Sequence, residues 1–309
     1  MSTCETTFAS YAAFIPDFDA FCTALRTPRT CCLRVNTLRT TPAVVQALLA
    51  SQGYHVMPSP LAEELLLVEQ LPHPGRLREA YLGYYHPQAL TSALVSLSLA
   101  PQPGELVCDL CAAPGSKTSH MAQLMRNQGV IVANEPAHER LFMLEYNLKH
   151  LGISNVITTR YTGQNFPLRC KFARVLVDAP CSGEGNYRWD RQGRLRRVRY
   201  AVSPLEDLPR LQKQLLVRGY DLLAPGGSLL YATCTYNPAE NEAVVQTLLE
   251  QRPATLQPIM LPVRHSPGLQ QWKEHRYDER MPLCWRLYPH QTGSVGFFLA
   301  SIRARAAAE

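Results

Sequence analysis

Two cysteines, Cys181 and Cys234, each follow an apolar run that is typical of a buried strand and come just before polar turn residues. One lies in VLVDAPCSGEG (175–185) and the other in LLYATCTYNPAEN (229–241). Because the carboxyl ends of parallel strands meet at one edge of an open sheet, where ligands bind, we expect both thiols to face one crevice beside Asp178. Paired thiols next to a methyl donor would indicate chemistry on a pyrimidine ring.

The chemistry that suits such thiols is covalent catalysis on cytosine. Carbon 5 of cytosine is a weak nucleophile, but a thiolate that adds to carbon 6 turns the ring into an enamine that can accept a methyl group. The attacking thiol must be partly ionised, which requires nearby positive charge or a helix N-terminus. A single cysteine is more often a small buried hydrophobe; two at adjacent strand ends favour catalysis. The residues alone do not say which of the two attacks.

The role of Asp178 has three alternatives at this point. Its carboxylate is placed to accept from the amino group of cytosine, to accept from a protonated ring nitrogen, or to contact the methyl donor. The sequence does not separate them.

The segment DLCAAPGSKT (109–118) predicts a cofactor loop where a first strand turns into a helix. Gly115 is its only glycine, which excludes the dinucleotide fingerprint and the phosphate-binding P-loop. A loop of small residues at a helix N-terminus can still hold a carboxylate, and S-adenosylmethionine offers a carboxylate, an amine and a sulfonium without a phosphate. Asp109 is expected to face the amine or the sulfonium, and Lys117 the carboxylate. The predicted loop contacts are Cys111, Ala112, Ala113, Pro114, Gly115, Ser116 and Lys117.

Glu135 ends the next predicted strand, VIVANE, about twenty residues after the loop. A carboxylate in that place can accept both ribose hydroxyls of a nucleoside; the alternative is a solvated strand end. Arg140, one turn into the following helix, either braces Glu135 or is a surface charge.

These side chains need a parallel sheet to position them. Strands are expected at 104–110, 130–135, 156–160, 173–180, 228–234 and 295–303, separated by helices, which predicts βαβ units. Helices are expected at 88–99, 116–125 and about 205–223, around Leu141 and Leu148, and from Asn237 as N-cap with Pro238 in the first turn. We predict an α/β catalytic domain at 81–309. A strand at 31–38, a helix that begins at 41–42 and ends at Gly53, and a strand at 65–69 predict a small α+β module at 1–80. This module is either a packing lid or a guide that leads an RNA substrate into the crevice.

Bulk composition narrows the class of protein. The chain has 309 residues, 46% hydrophobic and 18% charged, with a net charge of +6, which is ordinary for a globular protein and compatible with a polyanionic partner. The ten cysteines are scattered, and Cys108 with Cys111 lacks the second pair that a zinc site needs, so we expect no metal. Without a signal peptide or apolar span, we expect a reduced cytoplasmic protein, no membrane contact and a monomer.

Taken together, these motifs resemble the RNA (cytosine-5) methyltransferases of the Sun family. The resemblance rests on DLCAAPGSKT, ANE followed by Arg140, VLVDAPCSGEG and YATCTYNPAENEAVV, with RVNTL (34–38) and RLYPHQTGSVGFFLA (286–300), and covers nearly all of 31–303. It implies a Rossmann-like class I fold, S-adenosylmethionine as cofactor and RNA as substrate, with ribosomal RNA first and transfer RNA second. It also implies Cys234 as the nucleophile and Cys181 as the residue that assists product release.

The sequence departs from the family pattern in two places. Thr162 stands where the family usually has an aspartate near the adenine, and we expect it to bind the cofactor there through its hydroxyl group. An arginine-rich segment, 188–199, differs from the sequence that the family usually has in this region. It is either a solvated loop or a contact to the RNA backbone; the second role has a physical basis because phosphate neutralisation dominates nucleic-acid affinity. Two other functions stay open, namely a non-catalytic RNA-binding assembly factor that keeps the fold and methyl transfer to a protein or small molecule.

Overall fold

The structure is a computed structural model that describes residues 4–190, 192–196 and 207–305. Its helices are α1 (Cys4–Thr7), α2 (Phe18–Ala24), α3 (Pro42–Ser51), α4 (Arg78–Tyr81), α5 (Leu90–Leu99), α6 (Ser116–Leu124), α7 (His138–His150), α8 (Leu208–Asp221), α9 (Glu242–Gln251) and α10 (Pro289–Thr292). Its strands are β1 (Cys31–Val35), β2 (Val56–Pro58), β3 (Leu65–Val68), β4 (Tyr85–Pro87), β5 (Leu106–Asp109), β6 (Val130–Asn134), β7 (Val156–Thr159), β8 (Phe172–Asp178), β9 (Arg188–Trp189), β10 (Leu195–Arg196), β11 (Leu223–Thr233), β12 (Ala254–Gln257), β13 (Ser266–Pro267), β14 (Gln271–Trp272), β15 (His275–Arg276), β16 (Trp285–Leu287) and β17 (Phe297–Ala304).

The large sheet carries the strand order β7-β6-β5-β8-β11-β17-β16-β13, and β12 also pairs with β17. The neighbours from β7 to β11 are parallel, whereas β17 runs antiparallel to β11. Alternate residues of β8 enter two different cores: Val175 and Val177 pack with α8 and α9, and Leu176 packs with α5 and α6. Because helices cover both faces, the strands are apolar without alternation, as parallel strands usually are. The α/β Rossmann-like fold predicted from the sequence is confirmed.

A second, small sheet has the order β2-β3-β1-β4 and is antiparallel throughout. Thr41 caps α3 by accepting from the backbone N–H of Val44, and Pro42 opens the helix, as its sequence predicts. β4 lies beyond residue 80, so this sheet extends past the boundary that we predicted between the module and the catalytic domain. That division stays a prediction.

The first residues of the chain pack on the catalytic sheet rather than on the small sheet. Phe8 and Phe21 meet the ring of Tyr236 edge to face, with ring centroids 5.7 and 5.3 Å apart. Cys4 and Cys22 form a disulfide beneath these rings, while the other eight cysteines are free. The expectation of reduced cysteines is therefore wrong for this pair. The spacing of Cys4 and Cys22 along the chain did not indicate that the two would be bonded.

One other local prediction was wrong. The helix expected from Asn237 begins at Glu242 instead, with Asn241 as its N-cap residue. Asn237 makes an Asx turn, in which its side-chain oxygen accepts from the backbone N–H of Ala239, so its capping chemistry serves a turn before the helix. The start of the helix expected near 205 lies outside the described residues, which show α8 from Leu208.

Within the described ranges, no helix is both long and apolar enough to cross a membrane. The same residues hold no group of three His, Cys, Asp or Glu side chains that could bind a metal ion.

Candidate active site

A cavity of about 520 Å³ lies at the carboxyl edge of the parallel strands. Its volume is within the range of small-molecule sites, about 300–1,000 Å³. Thr162 is exposed and does not line the cavity; the next residue, Gly163, does. Ala112 and Gly115 also lie outside the cavity lining. Apart from Asp109, described below, the remaining predicted site residues line the cavity: Cys111, Ala113, Pro114, Ser116, Lys117, Glu135, Arg140, Asp178, Cys181 and Cys234.

The sulfur atoms of Cys181 and Cys234 lie 3.3 Å apart in this cavity. The backbone N–H of Cys234 also donates to the sulfur of Cys181, at 3.3 Å. The hydrogen bond to Cys234, then burial, then the charges of Cys234 and Glu240 raise the pKa of Cys181 well above its usual range. Cys181 therefore keeps its proton at neutral pH and can donate an S–H hydrogen bond to the sulfur of Cys234. The two cysteines share one crevice, as their strand ends predict.

Lys117 and Asp178 form an ion pair at the same edge. The distance from Nζ of Lys117 to Oδ2 of Asp178 is 2.6 Å, with the side chains 15% and 24% exposed. Burial lowers the pKa of Lys117, but the charge of Asp178 and its hydrogen bond outweigh burial, so the pKa is raised. The lysine is therefore charged and held beside the two sulfurs, and its Nζ also lies 5.4 Å from the ring centroid of Phe297.

Two side chains donate hydrogen bonds to carbonyl oxygens of the cofactor loop. Arg140 donates to the carbonyl of Ala113 at 2.9 Å, and Asn147 donates to that of Pro114 at 2.8 Å. Gly115 adopts a left-handed conformation with φ of 100°, and a Cβ there would lie 2.8 Å from Cδ1 of Leu144. The left-handed conformation therefore favours glycine at this position, and any larger residue would also require the Leu144 side chain to shift.

Arg34 of β1 reaches across from the small sheet to the same loop. Its guanidinium donates to the carbonyl of Ser116 at 2.7 Å and to the hydroxyl of Ser119 at 2.7 Å. The side chain is 1% exposed, so these bonds form away from water. The small sheet therefore helps to fix the first turn of α6.

Glu135 is 2% exposed and lines the cavity directly after β6. One of its oxygens accepts from the backbone N–H of Ala137 at 3.0 Å, and the other lies 3.4 Å from Arg140. Arg140 thus braces both Glu135 and the cofactor loop, which decides between its two predicted roles.

Asp109 is placed differently from the expectation that it faces a bound ligand. It is 1% exposed and outside the cavity lining; one oxygen accepts from the hydroxyl of Thr118 at 2.7 Å. Burial raises the pKa of Asp109 to about 7. Asp109 therefore supports the cofactor loop and does not line the cavity. It is the last residue of β5, and the chain reaches the cavity one position later.

Several residues of the cavity wall were missed by sequence reasoning. Gln88 comes just before α5 and accepts from the hydroxyl of Ser116 at 2.9 Å. Phe297 is carried to the cavity by β17, whose antiparallel position beside β11 leaves no sequence signal. Asn186 was also missed, although it follows the Cys181 motif directly.

Part of the arginine-rich segment forms a hairpin of β9 and β10 next to this wall. Arg188, Arg194 and Arg196 are exposed, and Asp190 lies 3.1 and 3.0 Å from the last two. The other arginines of the segment, at 191, 197 and 199, lie outside the described residues.

Comparisons with known proteins identify the family of this chain. Residues 96–303 match the family described as 16S rRNA methyltransferase RsmB/F, and residues 11–72 match the RsmF/B-like ferredoxin-like domain. A curated protein of Pyrococcus abyssi, named tRNA (cytosine(49)-C(5))-methyltransferase, is 34% identical over 94% of this chain and 93% of its own length. A solved structure, described as a methyltransferase homologue from Pyrococcus horikoshii, is 33% identical, with a TM-score of 0.79 over 94% of this chain and 91% of that one.

A human protein named 28S rRNA (cytosine(4447)-C(5))-methyltransferase is 36% identical over 92% of this chain. The chain spans only 35% of that relative's length. The family match covers the whole of the catalytic sheet from β5 onward, with both cysteine motifs. The resemblance seen in the sequence is thus confirmed, and the chain belongs to the RsmB/F methyltransferase family.

Proposed function

We propose that this protein transfers a methyl group from S-adenosylmethionine to carbon 5 of a cytosine in RNA. The observation that carries the proposal is the pair of sulfurs 3.3 Å apart, in a cavity that also holds the Lys117–Asp178 ion pair. Methyl transfer to an oxygen or nitrogen atom needs no cysteine. A pyrimidine carbon does, because the ring must first be activated by a covalent bond.

The residues of the cavity fit S-adenosylmethionine. The first turn of α6 and Lys117 suit its carboxylate, because helix N-termini leave N–H groups without partners inside the helix. Glu135, buried and braced by Arg140, suits the ribose hydroxyls. When bound, the cofactor supplies an electrophilic methyl group on a sulfonium. We expect adenine contacts from the backbone around Gly163, since Thr162 lies outside the cavity lining.

Cys234 is the proposed nucleophile. Its sulfur, as a thiolate, bonds to carbon 6 of the cytosine, and the electron pair that this places on carbon 5 accepts the methyl group. Cys181 supports the thiolate by donating an S–H hydrogen bond to the Cys234 sulfur across 3.3 Å. Asp178, held in place by Lys117, is proposed to bind the polar edge of the cytosine and to help the ring take up electron density.

Cys181 is the proposed residue for product release. Release requires loss of the proton on carbon 5 and departure of the Cys234 sulfur from carbon 6. The position of Cys181 beside that sulfur supports a role in both events. This division of roles also follows the family resemblance, in which the Thr-Cys cysteine attacks and the Pro-Cys cysteine assists release.

Ribosomal RNA is the proposed substrate, in line with the description of the matched family. Transfer RNA is the second candidate, because the relative matched over nearly its whole length is named a tRNA methyltransferase. The target base must leave its stack to reach a cavity at a sheet edge. We propose that the small sheet and the exposed arginines of the β9–β10 hairpin guide the RNA, and that the protein acts as a monomer in the cytoplasm.

The test uses the purified chain, S-adenosylmethionine with a labelled methyl group, and two RNA pools: small-subunit ribosomal RNA and transfer RNA. The account expects labelled 5-methylcytidine after digestion to nucleosides, and none with Cys234→Ala. Cys170→Ser is the matched control, since Cys170 is exposed and precedes β8 at the opposite edge of the sheet. Label in another nucleoside, or full activity of Cys234→Ala, would overturn the proposal.

A further inference from the structure

A buried carboxylate joins the two segments that carry the thiols. We call residues 179–183 the Cys181 loop and residues 234–241 the Cys234 loop. Glu240, in the Cys234 loop, is 2% exposed. Its Oε2 accepts from the backbone N–H of Ser182 at 2.9 Å, directly after Cys181. The carboxylate of one loop therefore holds the backbone of the other.

The same oxygen holds the other side of Cys181 through a relay. Gln212 of α8, which is 0% exposed, donates its side-chain amide to Oε2 of Glu240 at 2.9 Å. That amide also donates to the carbonyl of Pro180 at 2.8 Å, directly before Cys181. Both neighbours of Cys181 are thus fixed by one carboxylate and one amide, in a place where hydrogen bonds to a charged group are short and strong.

Glu240 is itself held in place. The hydroxyl of Tyr231 donates to its backbone carbonyl at 2.6 Å, and Asn237 reaches its second carboxylate oxygen at 3.3 Å. A separate contact between the loops joins the hydroxyls of Ser182 and Thr235 at 2.7 Å. The distance between the two sulfurs is therefore set by a rigid network on the side of the loops away from the cavity, since Glu240 and Gln212 lie outside the cavity lining.

We propose that Glu240 is a positioning residue for product release, which fixes the sulfur of Cys181 beside that of Cys234 so that Cys181 can move the proton. This inference rests on the proposed function. It assigns to Glu240 a role that touches neither the RNA nor the cofactor.

The step that depends on this position can be written in full. In the methylated adduct, carbon 5 carries a hydrogen and a methyl group, and carbon 6 is bonded to the Cys234 sulfur. The bond from carbon 5 to hydrogen breaks, and its electrons form the double bond between carbons 5 and 6. The bond from carbon 6 to sulfur breaks and leaves its electrons on Cys234. The sulfur of Cys181 takes the proton from carbon 5 and passes its own thiol proton to Cys234, so both cysteines end as neutral thiols.

The test is Glu240→Gln in the full chain, with both cysteines present. An amide keeps the shape but loses the charge and one acceptor. With its oxygen towards Ser182 and Gln212, both of these hydrogen bonds lose their charge, and its NH2 group meets the side-chain NH2 group of Asn237, which is also a donor. The expected result is a split between steps: methyl transfer in a single turnover stays within about threefold of the wild type, while multiple turnover falls by at least about tenfold. A denaturation-resistant protein–RNA adduct accumulates, as it does when release is blocked.

Gln212→Met provides a second variant that breaks the relay without changing a charge, and the same split is expected. Glu105→Gln is the matched control, because Glu105 pairs with Arg174 at the other end of the sheet; it is expected to turn over normally and to accumulate no adduct. Equal loss of both steps in both variants, without an adduct, would overturn the positioning role. If Cys181→Ala still accumulates an adduct under the same conditions, the proposed function stands and only the role of Glu240 fails.

Discussion

The ammonium of Lys117 and the carboxylate of Asp178 lie 2.6 Å apart, on two different elements of the catalytic sheet. Lys117 belongs to the first turn of α6 and Asp178 is the last residue of β8. The pair therefore connects the cofactor loop to the strand that leads to Cys181. A substitution of either residue is therefore expected to affect both cofactor binding and the chemistry at the cysteines.

The Lys117–Asp178 pair acts as one unit in this account. Lys117→Met and Asp178→Asn are each expected to lower the single-turnover rate of methyl transfer by at least about 100-fold, and the double variant is expected to be no slower than the worse single variant. Such non-additivity is the mark of residues in contact. Rates that multiply in the double variant would show that the two side chains act separately.

Arg34 is expected to control cofactor affinity from outside the cavity. Arg34→Met removes two hydrogen bonds from a charged donor to the first turn of α6, each worth about 1.5–3 kcal/mol. The Kd for S-adenosylhomocysteine, measured by calorimetry, should rise by at least about tenfold. Arg39→Met is the control, since Arg39 donates to the carbonyl of Leu82 and does not reach the loop. An unchanged Kd in Arg34→Met would contradict the proposed link between the small sheet and the loop.

The strand-end cysteines were predictable because the geometry of parallel sheets fixes where strand ends lie. The apolar runs before Cys181 and Cys234 identify β8 and β11, and adjacent parallel strands bring their ends together. The cofactor loop was predictable for a similar reason, because small residues followed by a helix start leave one place for a ligand. These inferences need only local sequence and one rule of topology.

The supporting residues could not be predicted in this way. Glu240 and Gln212 meet through packing of α8 on a loop, for which a single sequence carries no signal. Phe8 and Phe21 pack on Tyr236 although more than two hundred residues separate them. Asn237 was misjudged because capping residues also form turns, and only the structure shows which of the two occurs.

The buried carboxylate of Asp109 predicts a stability that falls as pH rises. Below about pH 4 both folded and unfolded states bind the proton. Between that pH and the folded pKa of about 7, the unfolded state ionises first, so the folded state loses stability. Urea unfolding from pH 4 to pH 8 should show Asp109→Asn gaining up to about 4 kcal/mol relative to the wild type. A difference that does not change with pH would contradict the buried, protonated state.

Gly185 is expected to be required where the two loops meet the C-terminal strand. A Cβ there would lie 2.2 Å from the carbonyl oxygen of Gly296 and 2.9 Å from that of Cys234, and neither backbone atom can turn aside. Gly185→Ala should therefore displace Cys234 and lower the rate of methyl transfer by about 100-fold. Gly75→Ala is the control, because a Cβ at Gly75 meets nothing within 4 Å. Normal activity of Gly185→Ala would show that the Cys234 backbone can move without loss.

The most direct measurement asks which sulfur bonds to the RNA. Cys181→Ala and Cys234→Ala are incubated with labelled RNA and S-adenosylmethionine, denatured, and separated on a gel, and the linked peptide is identified by mass spectrometry. We predict an adduct in Cys181→Ala, linked through Cys234, and none in Cys234→Ala. An adduct linked through Cys181, or no adduct in either variant, would contradict it.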